Sequence, residues 1–297
     1  MRKVIIGSRG SDLALWQANF VQSELEKLGC TVELKIITTQ GDKIQHLSFD
    51  KMEGKGFFTK EIEAALLDKS IDLAVHSHKD LETNPPEGLI IAAVSEREDP
   101  AEFLLIHPNA VANDEKWGLK KGAVVGTSSA RRKAQLMSHR SDITLKDLRG
   151  NVPTRINKLR EGNYDAIMLA AAGVTRLELD LSDLTVVRLT PEEFVPAPAQ
   201  GVLGLQIREE DTELAKILTQ LNHADVAEKI AIERKVLNLL DGGCQLPLGV
   251  YCPDHKIAYV SFAKDWEKGA IYKTFSIENP ATIAQEIVDE LNQSLVS

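Results

Sequence analysis

The chain of 297 residues carries a formal net charge of −9, with 43% hydrophobic, 27% charged and only 5% aromatic residues. This length predicts two or three globular domains, and the acidic balance argues against nucleic-acid and acidic-membrane partners, which favour a basic face. The sequence shows no secretion signal and no run of about 20 apolar residues that could cross a bilayer, so we expect a cytoplasmic protein. Its three cysteines show no repeated metal-ligand spacing.

The first elements alternate between strand and helix. Residues 4–7 predict a buried strand, Ser11 is placed to cap a helix that Gly29 ends, and residues 32–37 predict a second strand. A turn between a strand and a helix binds anionic groups in α/β proteins, because free N–H groups and the helix dipole point at it. Arg9, Ser11 and Gln17 lie on or just past this turn. They are candidates for an anion site, and a solvated arginine, a plain cap and a surface amide are the alternatives.

A glycine-flanked loop over residues 54–61 leads into a helix that is predicted to end at Leu67. The loop lacks the full spacing of a phosphate-binding loop, which argues against nucleotide binding. It fits a mobile loop that carries a lysine such as Lys55. A solvated turn anchored in the core by Phe57 or Phe58 explains it equally well.

Residues 71–80 begin as a buried strand and end in a polar run, where open α/β sheets bind ligands. If the run is extended, His76, His78 and Asp80 share one face, which suits a metal ion. Metal-dependent hydrolases with an H-x-H-x-D-H run are similar as far as Asp80, but Leu81 stands where they have the next histidine. Alternatively, Asp80 beside Lys79 serves as a hydrogen-bond acceptor and proton handler in a cleft.

A second α/β pattern begins at residues 101–107, and residues 124–139 again predict a strand, a small-residue turn and a helix. Guanidinium groups are planar and permanently charged, so they suit carboxylates. Such groups stand just after a predicted strand or near a turn or helix start at Arg131, Arg132, Arg149, Arg155 and Arg176. Together they predict a cleft for a ligand with several carboxylates.

The last third reads as a small α+β domain. A proline-rich crossing at residues 194–201 and an apolar run at 202–207 precede predicted helices at 211–222 and 227–240, strands at 248–251, 257–262 and 270–275, and a helix at 283–295. Cys244 follows two glycines and precedes Pro247, which places its thiol on a loop between elements. The thiol is either reachable and reactive or a small buried hydrophobe beside a turn.

These motifs, taken together, resemble the porphobilinogen deaminase family, also called hydroxymethylbilane synthase. The resemblance runs nearly end to end, with the motifs in the family's order, at residues 7–14, 56–61, 76–80, 126–132, 149–151, 200–201 and 242–244. It implies two lobes similar to type II periplasmic binding proteins around a cleft, plus a small C-terminal α+β domain. The domains it implies are residues 1–98 with 197–219, residues 99–196, and residues 220–297.

The resemblance also implies a transferase of tetrapyrrole biosynthesis. Such an enzyme condenses four porphobilinogen molecules head to tail into hydroxymethylbilane and releases ammonia. It is primed by a dipyrromethane cofactor that would be held as a thioether on Cys244. We expect a monomer with no metal and with porphobilinogen as its small-molecule partner.

Site residues are implied on the same basis, with Asp80 as the catalytic residue. Cofactor-binding positions are Cys244, Ser77, Lys79, Asp80, Thr127, Ser128, Ser129, Arg131, Arg132, Arg155 and Gly173; substrate-binding positions are Arg9, Ser11, Gln17, Lys55, Phe58, Arg149, Arg176 and Gln200. The chain departs from the family at His78, Glu82 and Ala199, where an apolar residue, a proline and a glycine are usual. A solute-binding module and a metallohydrolase are the alternative functions.

Overall fold

The computed structural model describes residues 2–43, 59–243 and 245–294. These residues form two compact units. The first contains the described residues up to Glu98 together with Gln200–Glu228, and the second contains Asp99–Ala199 together with the described part of Lys229–Ser297.

The secondary-structure elements follow the chain in this order. The strands are β1 (Lys3–Ser8), β2 (Thr31–Ile36), β3 (Leu73–Ser77), β4 (Leu89–Val94), β5 (Glu102–Ile106), β6 (Val124–Gly126), β7 (Thr144–Lys146), β8 (Ala166–Ala170), β9 (Thr185–Leu189), β10 (Leu203–Arg208), β11 (Leu248–Tyr251), β12 (Ile257–Phe262) and β13 (Ile271–Ser276). The helices are α1 (Asp12–Lys27), α2 (Gln40–Lys43), α3 (Lys60–Leu67), α4 (Ala130–His139), α5 (Val152–Arg160), α6 (Ala171–Arg176), α7 (Thr212–Leu218), α8 (Ala224–Leu239) and α9 (Ile283–Ser294).

The first unit is built on a sheet with the strand order β2-β1-β3-β10-β4. Strands β1, β2 and β3 are parallel, whereas β10 runs antiparallel to both β3 and β4. Helix α1 begins where the Ser11 hydroxyl accepts a hydrogen bond from the Ala14 N–H at 3.4 Å, which satisfies one free donor of the first turn. Val21 and Leu25, four residues apart, then bury one face of α1 with Ile6 of β1 in the core of the unit.

The second unit repeats this arrangement. Its larger sheet has the order β7-β6-β8-β5-β9, with β6, β7 and β8 parallel and β5 antiparallel to both β8 and β9. Leu104 of β5, Met168 of β8 and Leu136 of α4 are fully buried in one core cluster. The two sheets therefore have the same spatial pattern of strand directions. The antiparallel strand inside the sheet comes first along the chain in the second unit (β5) and last in the first unit (β10).

A smaller antiparallel sheet, β11-β12-β13, also belongs to the second unit. Ile283, Ile287 and Leu291 of α9, spaced four residues apart, share its core with Val250 and Val260. This spacing places all three side chains on one face of the helix, so α9 covers one side of the sheet.

The predicted fold class is confirmed: two mixed α/β lobes with a shared topology and a small α+β domain. The predicted bounds of β11 and β12 match the structure, and α1, α4 and α9 lie within one or two residues of the expected positions. The structure differs after Ser77, where a short helical turn replaces the continued strand, and the prediction did not include β4, β7 and β9.

Two further features concern domains and membranes. The proposed boundaries at residues 98, 196 and 219 remain predictions; the small sheet shares a compact unit with the second lobe. Within the described ranges, none of the helices combines the length and apolar character that crossing a bilayer requires.

Candidate active site

Two loops of the first unit lie at the carboxyl edge of its sheet. Arg9 and Ser11 follow β1, and Ser77 ends β3, which is the parallel neighbour of β1. Gln17 lies on α1, and its buried amide Nε2 donates a hydrogen bond to the Ser77 hydroxyl oxygen at 2.9 Å. This contact joins α1 to the end of β3, so the predicted residues of both loops belong to one edge.

The turn after β3 carries the predicted catalytic group. Residues His78–Asp80 form one turn of 3₁₀ helix rather than extended strand. Lys79 donates from Nζ to the Gln200 side-chain oxygen at 3.1 Å, and Arg97 Nε donates to the Gln200 carbonyl oxygen at 2.9 Å. Gln200 is fully buried, whereas the Asp80 side chain is exposed. The Asp80 carboxylate is thus accessible to a ligand while its neighbour is held in place.

His76 lies in β3, just before this turn, and belongs to a buried series of hydrogen bonds. Its Nε2 is 2.9 Å from the Gln206 side-chain oxygen, and Gln206 Nε2 donates to Glu63 Oε1 at 3.1 Å. Burial lowers the pKa of His76 to about 4, although the Gln206 contact acts in the opposite direction. His76 is therefore neutral at pH 7, with its proton on Nε2.

The metal alternative required His76, His78 and Asp80 on one face of an extended strand. That arrangement does not form, because β3 ends at Ser77 and His78–Asp80 curl into a helical turn. In the part of the chain that the structure describes, no group of three or more His, Cys, Asp or Glu side chains could hold a metal ion.

Three turns of the second unit also lie at one sheet edge, because β6, β7 and β8 are parallel neighbours. Ser128 ties the first two together: its hydroxyl donates to the Leu148 carbonyl and accepts from the Leu148 N–H, both at 3.0 Å. Ser129 caps α4 by accepting from the Arg132 N–H at 3.4 Å, and the Thr127 hydroxyl accepts from the Ser129 N–H at 3.2 Å. The three predicted hydroxyls thus shape the turn as well as lining it.

Arg131 and Arg132, at the start of α4, converge on one carboxylate. Arg131 donates to Glu102 Oε1 at 2.5 Å and Arg132 donates to Glu102 Oε2 at 2.7 Å. Arg131 also donates to the Val195 carbonyl at 2.9 Å and Arg132 to the Met168 carbonyl at 3.2 Å. Glu102 is 0% exposed and the two arginines only 5% and 7%. The predicted carboxylate-binding arginines are therefore already fixed by the protein itself.

The remaining predicted residues of this unit follow β7 and β8. Arg149 is partly buried, and that burial lowers the pKa of its guanidinium. Arg155 Nε donates to the Gly150 carbonyl at 2.7 Å. Gly173 and Arg176 are buried in α6, which follows β8 directly. These residues share the edge that carries residues 127–129, although their assignment to substrate or cofactor stays a prediction.

Three predicted site residues, Lys55, Phe58 and Cys244, lie outside the described residues. Among the departures from the family pattern, His78 is buried and Glu82 is partly buried. Ala199 has a backbone φ of 62°, the left-handed region that glycine adopts most readily. The glycine usual at that position therefore has a backbone reason.

Glu102 is the site residue that the sequence analysis missed. A charged residue at the start of an otherwise apolar strand was the available signal, since a buried carboxylate requires a cationic partner. Gln135 was missed as well: its side chain donates to the Val195 carbonyl at 2.8 Å and accepts from the Val195 N–H at 2.7 Å. No local pattern marks that contact, because the two residues are 60 positions apart.

The chain is similar to one family model and to curated relatives that carry the same name. Residues 4–216 match the family model described as "Porphobilinogen deaminase, dipyromethane cofactor binding domain". A porphobilinogen deaminase of Oceanobacillus iheyensis is 47% identical over 253 residues, covering 84% of this chain and 80% of the relative. One of Shouchella clausii is 41% identical over 306 aligned positions, covering 100% of this chain and 93% of the relative.

Among solved structures, a Salmonella typhimurium periplasmic binding protein described for its arginine specificity is similar with a TM-score of 0.42 and 13% identity. The similarity covers 77% of this chain and 97% of that protein. The fold assignment rests on the strand order and directions of the two larger sheets.

Proposed function

The chain belongs to the porphobilinogen deaminase family, and from this premise we propose that it condenses four porphobilinogen molecules head to tail into hydroxymethylbilane with release of ammonia. Membership makes the chain an enzyme that acts on a small molecule. The match over residues 4–216 is the observation that carries the proposal. We assign the activity to the transferases of tetrapyrrole biosynthesis and infer a cytoplasmic monomer.

The residues present fit a dipyrromethane with carboxylate side chains. Hydroxyls, a helix start and arginines meet at the edge formed by β6, β7 and β8, and all of these groups donate hydrogen bonds to carboxylates. Arg132 Nε is buried and has no acceptor among the described residues, so a donor remains for a ligand. When bound, the dipyrromethane supplies a free pyrrole α-carbon as the first nucleophile.

We infer that a defined set of side chains holds this group. Cys244 forms the thioether, and the side-chain carboxylates and pyrrole rings are bound by Ser77, Lys79, Asp80, Thr127, Ser128, Ser129, Arg131, Arg132, Arg155 and Gly173. Arg9, Ser11, Gln17, Lys55, Phe58, Arg149, Arg176 and Gln200 bind porphobilinogen. The guanidinium groups neutralise the acetate and propionate of each unit, which orients the ring for reaction.

Asp80 acts on the reacting ring. Its exposed carboxylate accepts hydrogen bonds from pyrrole N–H groups and stabilises the positive charge that develops as ammonia leaves. Lys79 is held by Gln200 at 3.1 Å, so the turn that presents Asp80 is anchored to buried structure. A preorganised anion is most effective where charge develops in the transition state, because it needs no reorganisation during the reaction.

The covalent attachment is tested by Cys244→Ser. We expect the purified native protein to show an intact mass above that of the bare chain and a positive Ehrlich reaction for pyrroles. Cys244→Ser should lose both, because an alcohol does not replace the thiolate nucleophile at neutral pH. The mass increment persisting in this variant contradicts the thioether.

The catalytic assignment is tested by Asp80→Asn, which keeps the size of the side chain and removes its charge. We expect the fold and the mass increment to be retained while turnover falls by about 100-fold or more, the usual effect of removing a transition-state stabiliser. Asp68→Asn, which alters an exposed carboxylate after α3 in the same unit, is the matched control and should keep its turnover. Near-normal turnover of Asp80→Asn removes Asp80 from this role.

A further inference from the structure

The carboxylate of Glu102 brings together two side chains that a helix would otherwise separate. Arg131 and Arg132 are adjacent in α4, and adjacent helical residues point about 100° apart, so they do not face each other. Here each guanidinium reaches a different oxygen of Glu102, at 2.5 and 2.7 Å. Glu102 lies on β5, the strand between β8 and β9, and is fixed by the sheet. The strand therefore sets where both guanidinium groups lie.

The charges of this cluster do not cancel. Two guanidinium groups and one carboxylate leave one positive charge among three side chains that are almost completely buried. A buried charge without a counter-ion is costly, and here burial, followed by the nearby charge of Arg132, lowers the pKa of Arg131 despite Glu102. One further anion would complete the balance.

Hydrogen-bonding capacity is also left over. The Val195 and Met168 carbonyls and the two Glu102 oxygens accept from the terminal nitrogens of both arginines. Each guanidinium has five N–H donors, so donors remain, and the buried Arg132 Nε has no acceptor in the described ranges. The cluster thus has both a charge and a donor available for one carboxylate.

We propose, on the basis of the function above, that Glu102 is a positioning residue that combines Arg131 and Arg132 into a single subsite for one carboxylate of the dipyrromethane. Without Glu102 the two arginines carry two positive charges, share no acceptor, and are held only by the separate Val195 and Met168 carbonyls. With it, the pair binds one carboxylate in a fixed place. Glu102 itself does not touch the ligand.

Two variants and a control separate positioning from support of the fold. Glu102→Gln keeps the shape, removes the charge, and turns one acceptor oxygen into a donor that faces a guanidinium. Glu102→Asp keeps the charge but is one methylene short of holding both arginines. Asp72→Asn is the control, because it takes a carboxylate from another buried arginine, Arg208, at 2.8 Å. Asp72 lies just before β3, at the end of that strand opposite to Ser77.

Each protein is purified as expressed, and intact-mass spectrometry gives the fraction that carries the dipyrromethane increment. Loss of a buried charge-assisted hydrogen bond predicts about tenfold lower occupancy in Glu102→Gln, an intermediate value in Glu102→Asp and wild-type occupancy in Asp72→Asn. Inorganic phosphate provides a second measurement. It should raise the Tm of Glu102→Gln more than that of the wild type, whose two guanidinium charges are balanced by Glu102 and the bound carboxylate. It should also exceed the effect on the control, in which Arg208 keeps Asp211 at 3.7 Å.

The outcomes are distinct. Wild-type occupancy and no extra phosphate effect in Glu102→Gln, with only a lower Tm, overturn the positioning role. Should Glu102→Gln fail to fold, Glu102→Asp decides, and full occupancy in that variant overturns the proposal. A wild-type protein without any mass increment refutes the proposed cofactor itself and the subsite with it.

Discussion

The buried His76 should make the free energy of unfolding depend on pH, by an amount that follows from its lowered pKa. Its side chain is buried and its pKa is lowered to about 4, against about 6.5 in an unfolded chain. As the pH falls below 6.5, the His76 imidazole binds a proton in the unfolded state but remains neutral in the folded state. The stabilisation is therefore present above pH 6.5 and is lost progressively down to pH 4.

The size of the effect follows from proton linkage. With these two pKa values, the contribution of His76 to the free energy of unfolding falls by about 2 kcal/mol between pH 7 and pH 5, and by about 3 kcal/mol by pH 4. His76→Gln removes the titrating ring but keeps an N–H donor for the Gln206 oxygen. We therefore expect this variant to lose about 2 kcal/mol less than the wild type over the same interval.

The measurement is urea unfolding followed by circular dichroism at pH 7 and pH 5. Burial, and then the Lys116 ammonium 2.9 Å away, lowers the pKa of His139. His139 therefore also reduces stability at low pH, but it is present in both proteins. Its contribution cancels in the comparison. His255→Gln, at an exposed position, is the control and should follow the wild type. Equal losses in the wild type and His76→Gln would refute the reasoning.

Two substitutions near the proline-rich crossing test backbone strain, with thermal unfolding as the assay. Ala199→Gly should raise stability by up to about 1 kcal/mol, because glycine adopts the observed φ of 62° without a side-chain penalty; a lower Tm contradicts this. Gly201→Ala should lower stability by about 2 kcal/mol or more, since a β-carbon there would lie 2.3 Å from the Glu98 carbonyl oxygen at a φ of 90°. An unchanged Tm for Gly201→Ala would show that the backbone relaxes freely.

The sequence predicted the elements whose pattern lies within a short stretch of the chain, and it missed those that depend on residues far apart in sequence. Helix α1 was predictable because its cap, its apolar spacing and its terminating glycine all lie within 20 residues. Strands β11 and β12 were predictable because short β-rich runs between turns are local patterns. In contrast, β10 enters the first sheet between β3 and β4 from more than 100 residues away, and no local pattern encodes that position.

The candidate site shows the same division. The polar turns after β1, β3, β6 and β8 were predicted because ligand-binding residues follow strand ends in α/β sheets. The pairing of Arg131 and Arg132 with Glu102 was not predicted, because it joins residues about 30 positions apart and depends on the antiparallel placement of β5. The left-handed backbone of Ala199 was also unpredictable, since alanine gives no signal for it.

The position of β10 also bears on the order in which the chain is completed during translation. The ribosome delivers β5–β9 as one continuous segment, so all five strands of that sheet are available before β10 has been synthesised. Until Leu203–Arg208 emerges, β3 and β4 have no strand between them, and their facing edges are open to incorrect pairing. The lobe that begins first is therefore the one that closes last.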